Sequence, residues 1–301
     1  MNGTVIVDRT FAIDGHAIQA KPLKAALYLV ATPIGNLGDI TLRALATLAA
    51  ADIVACEDTR VTSVLFRQFG IASRLMPYHD HNGAEQRPKI LSALAEGKSV
   101  ALVSDAGTPL VSDPGYRLVG EVQAAGFDVV PIPGASALLA ALVASGLPTD
   151  AFLFAGFLPP KTVARKKRLA ELASVPATLV FFESPQRLAP SLRDMNAALG
   201  PRHVVVAREL TKTFEQIRRG ALADLAAAYA EEDPPKGEVV VVVSPPQEKA
   251  TSAVEADRVL KSLLEEKSVS AAAAEAAEIT GLPRRDLYQR ALAMKDKRGR
   301  R

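Results

Sequence analysis

Short apolar runs alternate with helical periodicity along most of this chain, and nearly every apolar run stops at a loop rich in Gly, Pro, Asp or Ser. This alternation is the strongest constraint on the fold. Residues 27–31, 52–56, 99–103 and 128–132 read as strands. Residues 42–50, 62–69, 85–96, 116–125 and 138–145 read as helices, and residues 73–78 hold a short additional strand. In the helix over 42–50, Leu42, Leu45 and Leu48 share a side, and Asp39 or Thr41 can cap it. Gly70, Gly97 and Gly126 stop three of the helices. Strands joined through helices pair in parallel, with helices on both faces, and continuous apolar strands fit a sheet covered on both sides. The expected architecture is α/β.

A second set of strands follows a junction at residues 146–150: residues 152–154, 177–182, 203–207, an edge strand at 214–219, and a valine-rich central strand at 238–243. A basic helix spans 161–173, and helices follow over 188–199 and 221–231. The length of 301 residues fits more than one domain. The expected boundaries are two α/β domains at 25–146 and 147–246, with residues 1–24 a flexible, poorly ordered extension. Beyond Pro245-Pro246 no strand pattern appears, and residues 250–301 read as a helical, basic region. Helices over 255–266 and 270–279 are followed by a turn at 280–282 and a helix opened by Pro283. Two helices about a short Gly-containing turn resemble a helix-turn-helix. Arg284 and Arg285 then lie at the amino end of the second helix. Residues 284–301 carry eight Arg and Lys against Asp286 and Asp296, a local charge of +6 in a chain whose net charge is only +3. Charge concentrated on such a helix points to nucleic-acid phosphates, the plain alternative being a solvated cap with a basic tail.

Several classes are excluded. Cys56 is the sole cysteine, which rules out disulfide frameworks and cysteine-rich zinc sites and fits a reducing cytoplasm. No apolar run reaches the ~18 residues of a membrane span, and no secretory h-region is present, so the expectation is a cytoplasmic protein without a membrane partner. Neither a phosphate-binding P-loop nor a G-x-G-x-x-G dinucleotide loop follows the first strand, and no G-x-S-x-G elbow occurs. His79 and His81 flank Asp80, but no further His cluster supports a metal site; the expectation is a polar loop and no metal.

What remains is a set of polar strand ends: residues 33–39, 57–60, 105–113 and 133–136. In parallel strands these loops gather on one edge, where open α/β sheets bind ligands. The loop over 104–115 is the richest, with two acids, two glycines, two prolines and three hydroxyl side chains. Residues 183–187 and Arg208-Glu209 can supply a facing wall. A cleft lined by backbone groups, small residues and a few carboxylates suits a small ligand.

These residues carry a resemblance. Leu29-Val30-Ala31-Thr32-Pro33-Ile34-Gly35-Asn36-Leu37, Cys56-Glu57-Asp58-Thr59-Arg60, residues 104–115, Pro131-Ile132-Pro133-Gly134-Ala135-Ser136-Ala137, Phe181-Phe182-Glu183-Ser184-Pro185 and Arg208-Glu209-Leu210-Thr211-Lys212 match, in order and spacing, the bacterial ribosomal RNA small-subunit methyltransferase I family. The match covers about residues 25–300. The family is of the tetrapyrrole-methylase type. The resemblance implies two α/β domains with S-adenosylmethionine in the cleft between them, homodimers, and methylation of a cytidine ribose 2′-hydroxyl in the decoding site of 16S ribosomal RNA. It places Pro33, Ile34, Asp105, Thr108, Ser136 and Ala137 on the cofactor from the first domain, and Phe182, Arg208 and Glu238 from the second. One departure is visible: the family sets a glutamate directly after the His79–Asn82 loop, whereas here Gly83-Ala84 precede Glu85.

Methyl transfer needs the nucleophile in line with the sulfonium, and a ribose hydroxyl must lose its proton. Glu57, Asp58 and Glu209 are candidate bases. Arg60, Arg187 and Lys212, with Arg284 and Arg285, are candidate RNA contacts. Each has a structural alternative, such as an Asp58–Arg60 ion pair. Two other functions compete with RNA ribose methylation: methylation of a small tetrapyrrole by the same fold, and a non-catalytic RNA-binding module, which would not need the ordered loops.

Overall fold

A computed structural model of the protein describes residues 9–113, 115–246 and 253–299. The chain divides into two compact units, residues 1–246 and 247–301.

The first unit opens with a hairpin, β1 (Thr10–Ile13) and β2 (His16–Gln19), antiparallel around Asp14-Gly15. Both turn residues have positive φ (49° and 79°), as a two-residue hairpin turn requires. This corrects the expectation of a flexible extension over residues 1–24, as far as those residues are described. Phe11 is buried in the main core, Ala12 N–H donates to the Phe69 carbonyl (2.7 Å), and Arg9 pairs with Asp52 (2.6 Å). The missed signal is the Asp-Gly pair between Phe11-Ala12-Ile13 and Ala17-Ile18. Residues 1–8 lie outside the described residues.

Five strands then form a wholly parallel sheet: β3 (Leu27–Val30), β4 (Ile53–Cys56), β5 (Leu75–Pro77), β6 (Val100–Val103) and β7 (Val129–Ile132), in the order β5-β4-β6-β3-β7. Helices α1 (Leu42–Ala50), α2 (Thr59–Gln68), α3 (Gly83–Ala95), α4 (Tyr116–Ala124) and α5 (Ala137–Ser145) make the connections. Thr41, Asp58 and Ser136 cap α1, α2 and α5 with side-chain oxygens, in keeping with the loop compositions. Separate apolar clusters cover the two faces, which is why these strands carry no alternation.

The second sheet is mixed. Strands β8 (Phe152–Phe157), β9 (Thr178–Glu183), β10 (His203–Arg208), β11 (Gln216–Ala221) and β12 (Val239–Val243) lie in the order β11-β10-β12-β9-β8. Only β8 and β9 pair in parallel; the other neighbours are antiparallel. Helices α6 (Thr162–Leu172), α7 (Pro185–Leu199) and α8 (Leu222–Glu231) pack on it. Where residues 183–187 read as a loop, Glu183 ends β9 and Pro185 starts α7, since proline suits a first helical position. The basic helix expected over 161–173 is partly internal. Arg165 is 3% exposed and pairs with Asp194 on α7 at 2.6 Å. A third apolar group joins the sheets: Ile34, Ala141 and Leu142 meet Val180, Val205, Val240 and Val242.

The second unit contains α9 (Ala253–Leu263), α10 (Val269–Thr280) and α11 (Arg284–Gly299) around a small Ala- and Leu-rich core. Gly281 closes α10 in the left-handed region (φ 69°), the helix-turn-helix turn expected. Residues 250–252 and Arg300-Arg301 of this region lie outside the described residues, as does Pro114 of the long loop. Among the described residues no helix is long and apolar enough to cross a membrane.

The Arg165–Asp194 pair is testable. Removing one partner leaves a buried charge uncompensated, which costs about 3–5 kcal/mol. Arg165→Met is expected to lose that much in urea unfolding, and the double variant Arg165→Met/Asp194→Leu much less.

Candidate active site

The parallel strands β3, β4, β6 and β7 bring their polar carboxyl ends together, and the loop after β6 binds the other three. Thr32 N–H donates to the Gly107 carbonyl (2.9 Å) and Gly107 N–H to the Thr32 carbonyl (3.0 Å). Thr108 Oγ1 donates to the Ala135 carbonyl (3.1 Å). Asp105 Oδ1 accepts from Asp58 N–H (2.9 Å). Gly107 is needed here, because at φ 80° an added Cβ would also lie 3.1 Å from Ile34 Cγ2. Leu110 and Ser112 hold positive φ (71° and 65°), strain that the cross-links sustain.

Between this loop and the second sheet lies a cavity of about 420 Å³. Ile34, Asp105, Thr108, Ser136 and Ala137 line it from one side, and Phe182 and Glu238 from the other. Pro33 lines an adjoining cavity of about 350 Å³ on the far side of Ile34 and Asp105. Arg208 lines neither: its Nη1 donates to the Lys236 carbonyl (3.1 Å). Val111, Ser112, Asp113, Phe157 and Gly237 also line the cleft. Phe157 extends an aromatic group with Phe154 and Phe182, its ring 5.6 Å from that of Phe182.

The charge at the cleft is one-sided. Asp105, Asp113, Glu183 and Glu238 line it, and among the described residues no Lys, Arg or His does. Glu183 is satisfied internally by Ser184 N–H (2.8 Å), Ser191 Oγ (2.6 Å) and the Arg187 guanidinium (3.1 Å), and Glu238 pairs with Lys212 (3.2 Å). Asp105 and Asp113 therefore set the local potential. Burial, reinforced by the Glu57 and Asp105 charges against a Ser104 hydrogen bond, pushes Asp113 up to about 6. Burial and the Asp105 and Asp80 charges also raise Glu57, with His79 opposing.

The three candidate bases separate. Asp58 forms a bidentate pair with Arg60 (closest approach 2.6 Å) and caps α2; these bonds hold its carboxyl down at about 2, a poor proton acceptor. Glu209 accepts from Lys212 Nζ (2.8 Å) and Glu238 N–H (3.0 Å), which lowers its pKa. It also folds over Gly237, where any Cβ would lie 2.2 Å from its carboxyl group. Glu209 is thus a clamp between β10 and the start of β12. Glu57 alone of the three keeps a raised pKa. Of the candidate RNA contacts, Arg187 and Lys212 are held by Glu183, and by Glu209 and Glu238. Arg60 is largely exposed beside Asp58, and Arg284 and Arg285 are exposed on α11. Asp113 escaped the sequence reading although its loop did not: nothing in Ser112-Asp113-Pro114-Gly115 reveals that this carboxylate is half-buried near Glu57 and Asp105.

Two parallel-sheet and mixed-sheet domains facing one another across a strand-end cleft define the tetrapyrrole methylase class. Residues 26–226 match the family model "Tetrapyrrole (Corrin/Porphyrin) Methylases", and residues 250–295 match "RsmI C-terminal HTH domain". The fold resembles cobalt precorrin-4 methyltransferase (TM-score 0.57, 22% identity, 73% of this chain and 95% of that one). It also resembles a uroporphyrin-III C-methyltransferase of Thermus thermophilus solved with S-adenyl homocysteine (TM-score 0.50, 23% identity, 73% and 97%). At those identities the likeness concerns fold alone. Curated relatives are much nearer. "Ribosomal RNA small subunit methyltransferase I" of Mesorhizobium japonicum is 62% identical over 94% of this chain and 96% of its own length. The protein so named in Pseudomonas aeruginosa is 49% identical over 90% and 98%. The chain belongs to the ribosomal RNA small subunit methyltransferase I family.

A pH titration of the Asp113 carboxyl, followed by carbon NMR, is expected to give a midpoint near 6. Glu57→Gln removes a repelling charge and is expected to lower that midpoint. Because the folded value is raised, the associated stability is present at low pH. It is lost as pH rises from about 4 through about 6. Asp113→Asn is expected to flatten that slope in pH-dependent denaturation.

Proposed function

We propose that this protein transfers a methyl group from S-adenosylmethionine to the ribose 2′-hydroxyl of a cytidine in the decoding site of 16S ribosomal RNA. The observation that carries the cofactor is the cleft: about 420 Å³, acidic, without cationic lining among the described residues, and walled by Ile34, Ala137, Phe182 and Val240. Such a site disfavours phosphate-bearing ligands and favours a cation with an apolar, aromatic part. S-adenosylmethionine has both: a sulfonium and an adenine. The pocket size is within the ordinary range for such ligands.

In this reading Asp105 and the backbone around Gly107 and Thr108 hold the polar end. Ile34, Ala137 and Phe182 pack on the base, and Ser136 stands at the amino end of α5. Pro33 and Arg208 support this wall from outside it. When bound, the cofactor supplies an electrophilic methyl group; the chain supplies orientation, exclusion of water and a proton acceptor. The RNA assignment is supported by the names of the relatives, by the match to a helix-turn-helix model and by the basic residues of α11. The small ribosomal subunit is the proposed partner, the cytoplasm the proposed location and a homodimer the proposed state.

Purified protein incubated with labelled S-adenosylmethionine is expected to label small ribosomal subunits or their RNA at a ribose. Label on a tetrapyrrole alone would reject this reading, and no transfer would favour an RNA-binding module. Asp105→Ala removes a charged hydrogen-bonding group, a loss of about 1.5–3 kcal/mol, or roughly 10- to 150-fold in cofactor affinity by calorimetry. Deleting residues 284–301 is expected to weaken RNA binding, most at low salt, while leaving cofactor affinity unchanged.

A further inference from the structure

A third cavity, of about 530 Å³, opens beside the cofactor cleft, and the two share Ser112 and Asp113. Unlike the cleft, it has cationic lining. Arg87 and Arg117 line it together with Tyr78, His79 and Tyr116, and Asp80 and Asp113 set carboxylates beside them. Arg87 Nε donates to Glu121 (2.6 Å), which fixes the guanidinium so that Nη1 lies over Gly83, beside the Tyr78 hydroxyl. The Gly83-Ala84 pair that departs from the family pattern opens α3 here. A Cβ on residue 83 would lie 3.2 Å from Arg87 Nη1, so the glycine leaves that arginine its place. Arg117 makes no ion pair among the described residues. Tyr116 is 72% exposed, an aromatic face without a cover. His79 Nδ1 is buried without a hydrogen-bond partner among the described residues.

We propose that this side cavity receives the nucleotide to be methylated, with its base on Tyr116, its phosphate on Arg87 and Arg117, and its ribose hydroxyl at Asp113, which takes the proton. The inference rests on the RNA-methyltransferase reading and gives it a substrate seat. An extruded nucleotide needs an aromatic platform, cations for its phosphate and polar groups for its edges, and the cavity supplies all three. Asp113 is the one carboxylate common to both cavities, so it stands where the ribose must meet the methyl donor. As the ribose oxygen bonds the methyl carbon, the carbon–sulfur bond breaks and its electron pair stays on sulfur. The hydroxyl proton passes to the Asp113 carboxylate and then to water. The raised pKa of Asp113 suits it to accept a proton near neutral pH. Charged and titratable groups around it are Glu57 after β4, Asp105 after β6, His79 and Asp80 after β5, Arg87 on α3, and Tyr116 and Arg117 on α4.

The test uses the full chain with small ribosomal subunits. Tyr116→Ala and Arg117→Ala change exposed side chains and are expected to raise KM for subunits by about 10-fold each, with kcat and cofactor Kd unchanged. Asp113→Asn is expected to lower kcat by about 100-fold or more, with KM little changed, and Asp113→Glu to recover part of it. In the wild type, kcat is expected to fall below pH about 6 as Asp113 protonates, a limb absent from Asp113→Asn. A photoreactive nucleoside at the target position is expected to cross-link to Tyr116 or His79. Wild-type KM in both α4 variants, or a cross-link outside the cavity, would overturn the nucleotide seat. Undiminished kcat in Asp113→Asn would overturn the proton role. If the wild-type protein labels no subunits, the RNA reading itself fails, an outcome distinct from either.

Discussion

The paired hydrogen bonds between Thr32 and Gly107 are the constraint on which the cleft depends. They tie the end of β3 to the end of β6, two adjacent strands in the middle of the parallel sheet. Through Asp105 and Thr108 the same loop also grips the ends of β4 and β7. Four chain segments distant in sequence thus become one rigid surface. Rigidity matters because methyl transfer is governed by alignment, and a loop free to move would misplace both reactants. Positive φ at Leu110 and Ser112 is the conformational cost of turning so tightly, and it is concentrated beside the cleft.

Ion pairing decides which charged residues remain available. Asp58, Glu209, Arg187 and Lys212 all sit near the cleft, and each is engaged by a close partner. Their roles are architectural: Asp58 starts α2, Glu209 fastens β10 to the segment before β12, and Arg187 closes the end of β9 on Glu183. The two neighbouring cavities differ in charge. Carboxylates alone line the cleft, whereas Arg117 and the Glu121-bound Arg87 line the side cavity with Asp80, and Asp113 is shared by both.

Legibility from the chain follows the range of the forces involved. Strands β3, β4, β6, β7, β9, β10 and β12 were readable because burial on both faces demands continuous apolar runs. Thr41, Gly70 and Gly281 marked helix ends because capping is local. The hairpin over Thr10–Gln19 has a local signal in its Asp14-Gly15 turn, but its docking, with Phe11 in the core and Ala12 N–H on the Phe69 carbonyl, is long-range and not written in that signal. The antiparallel pairing in the second sheet was equally hidden: Val239–Val243 identifies a buried strand but carries no direction.

The amino-acid sequence alone determined the alternating α/β plan, the collection of polar loops at strand ends, the helical basic carboxyl-terminal region and the family resemblance. These depend on periodicity, turn chemistry and motif order, all of which are local or linear. Only the tertiary structure decided which acids are free. Glu57, Asp58, Asp113 and Glu209 are all carboxylates in the sequence, yet packing half-buries Asp113 near two other carboxylates and sets Asp58 and Glu209 against cations. Desolvation and Coulomb interaction depend on distances through space, and those exist only once the sheets have closed around the cleft.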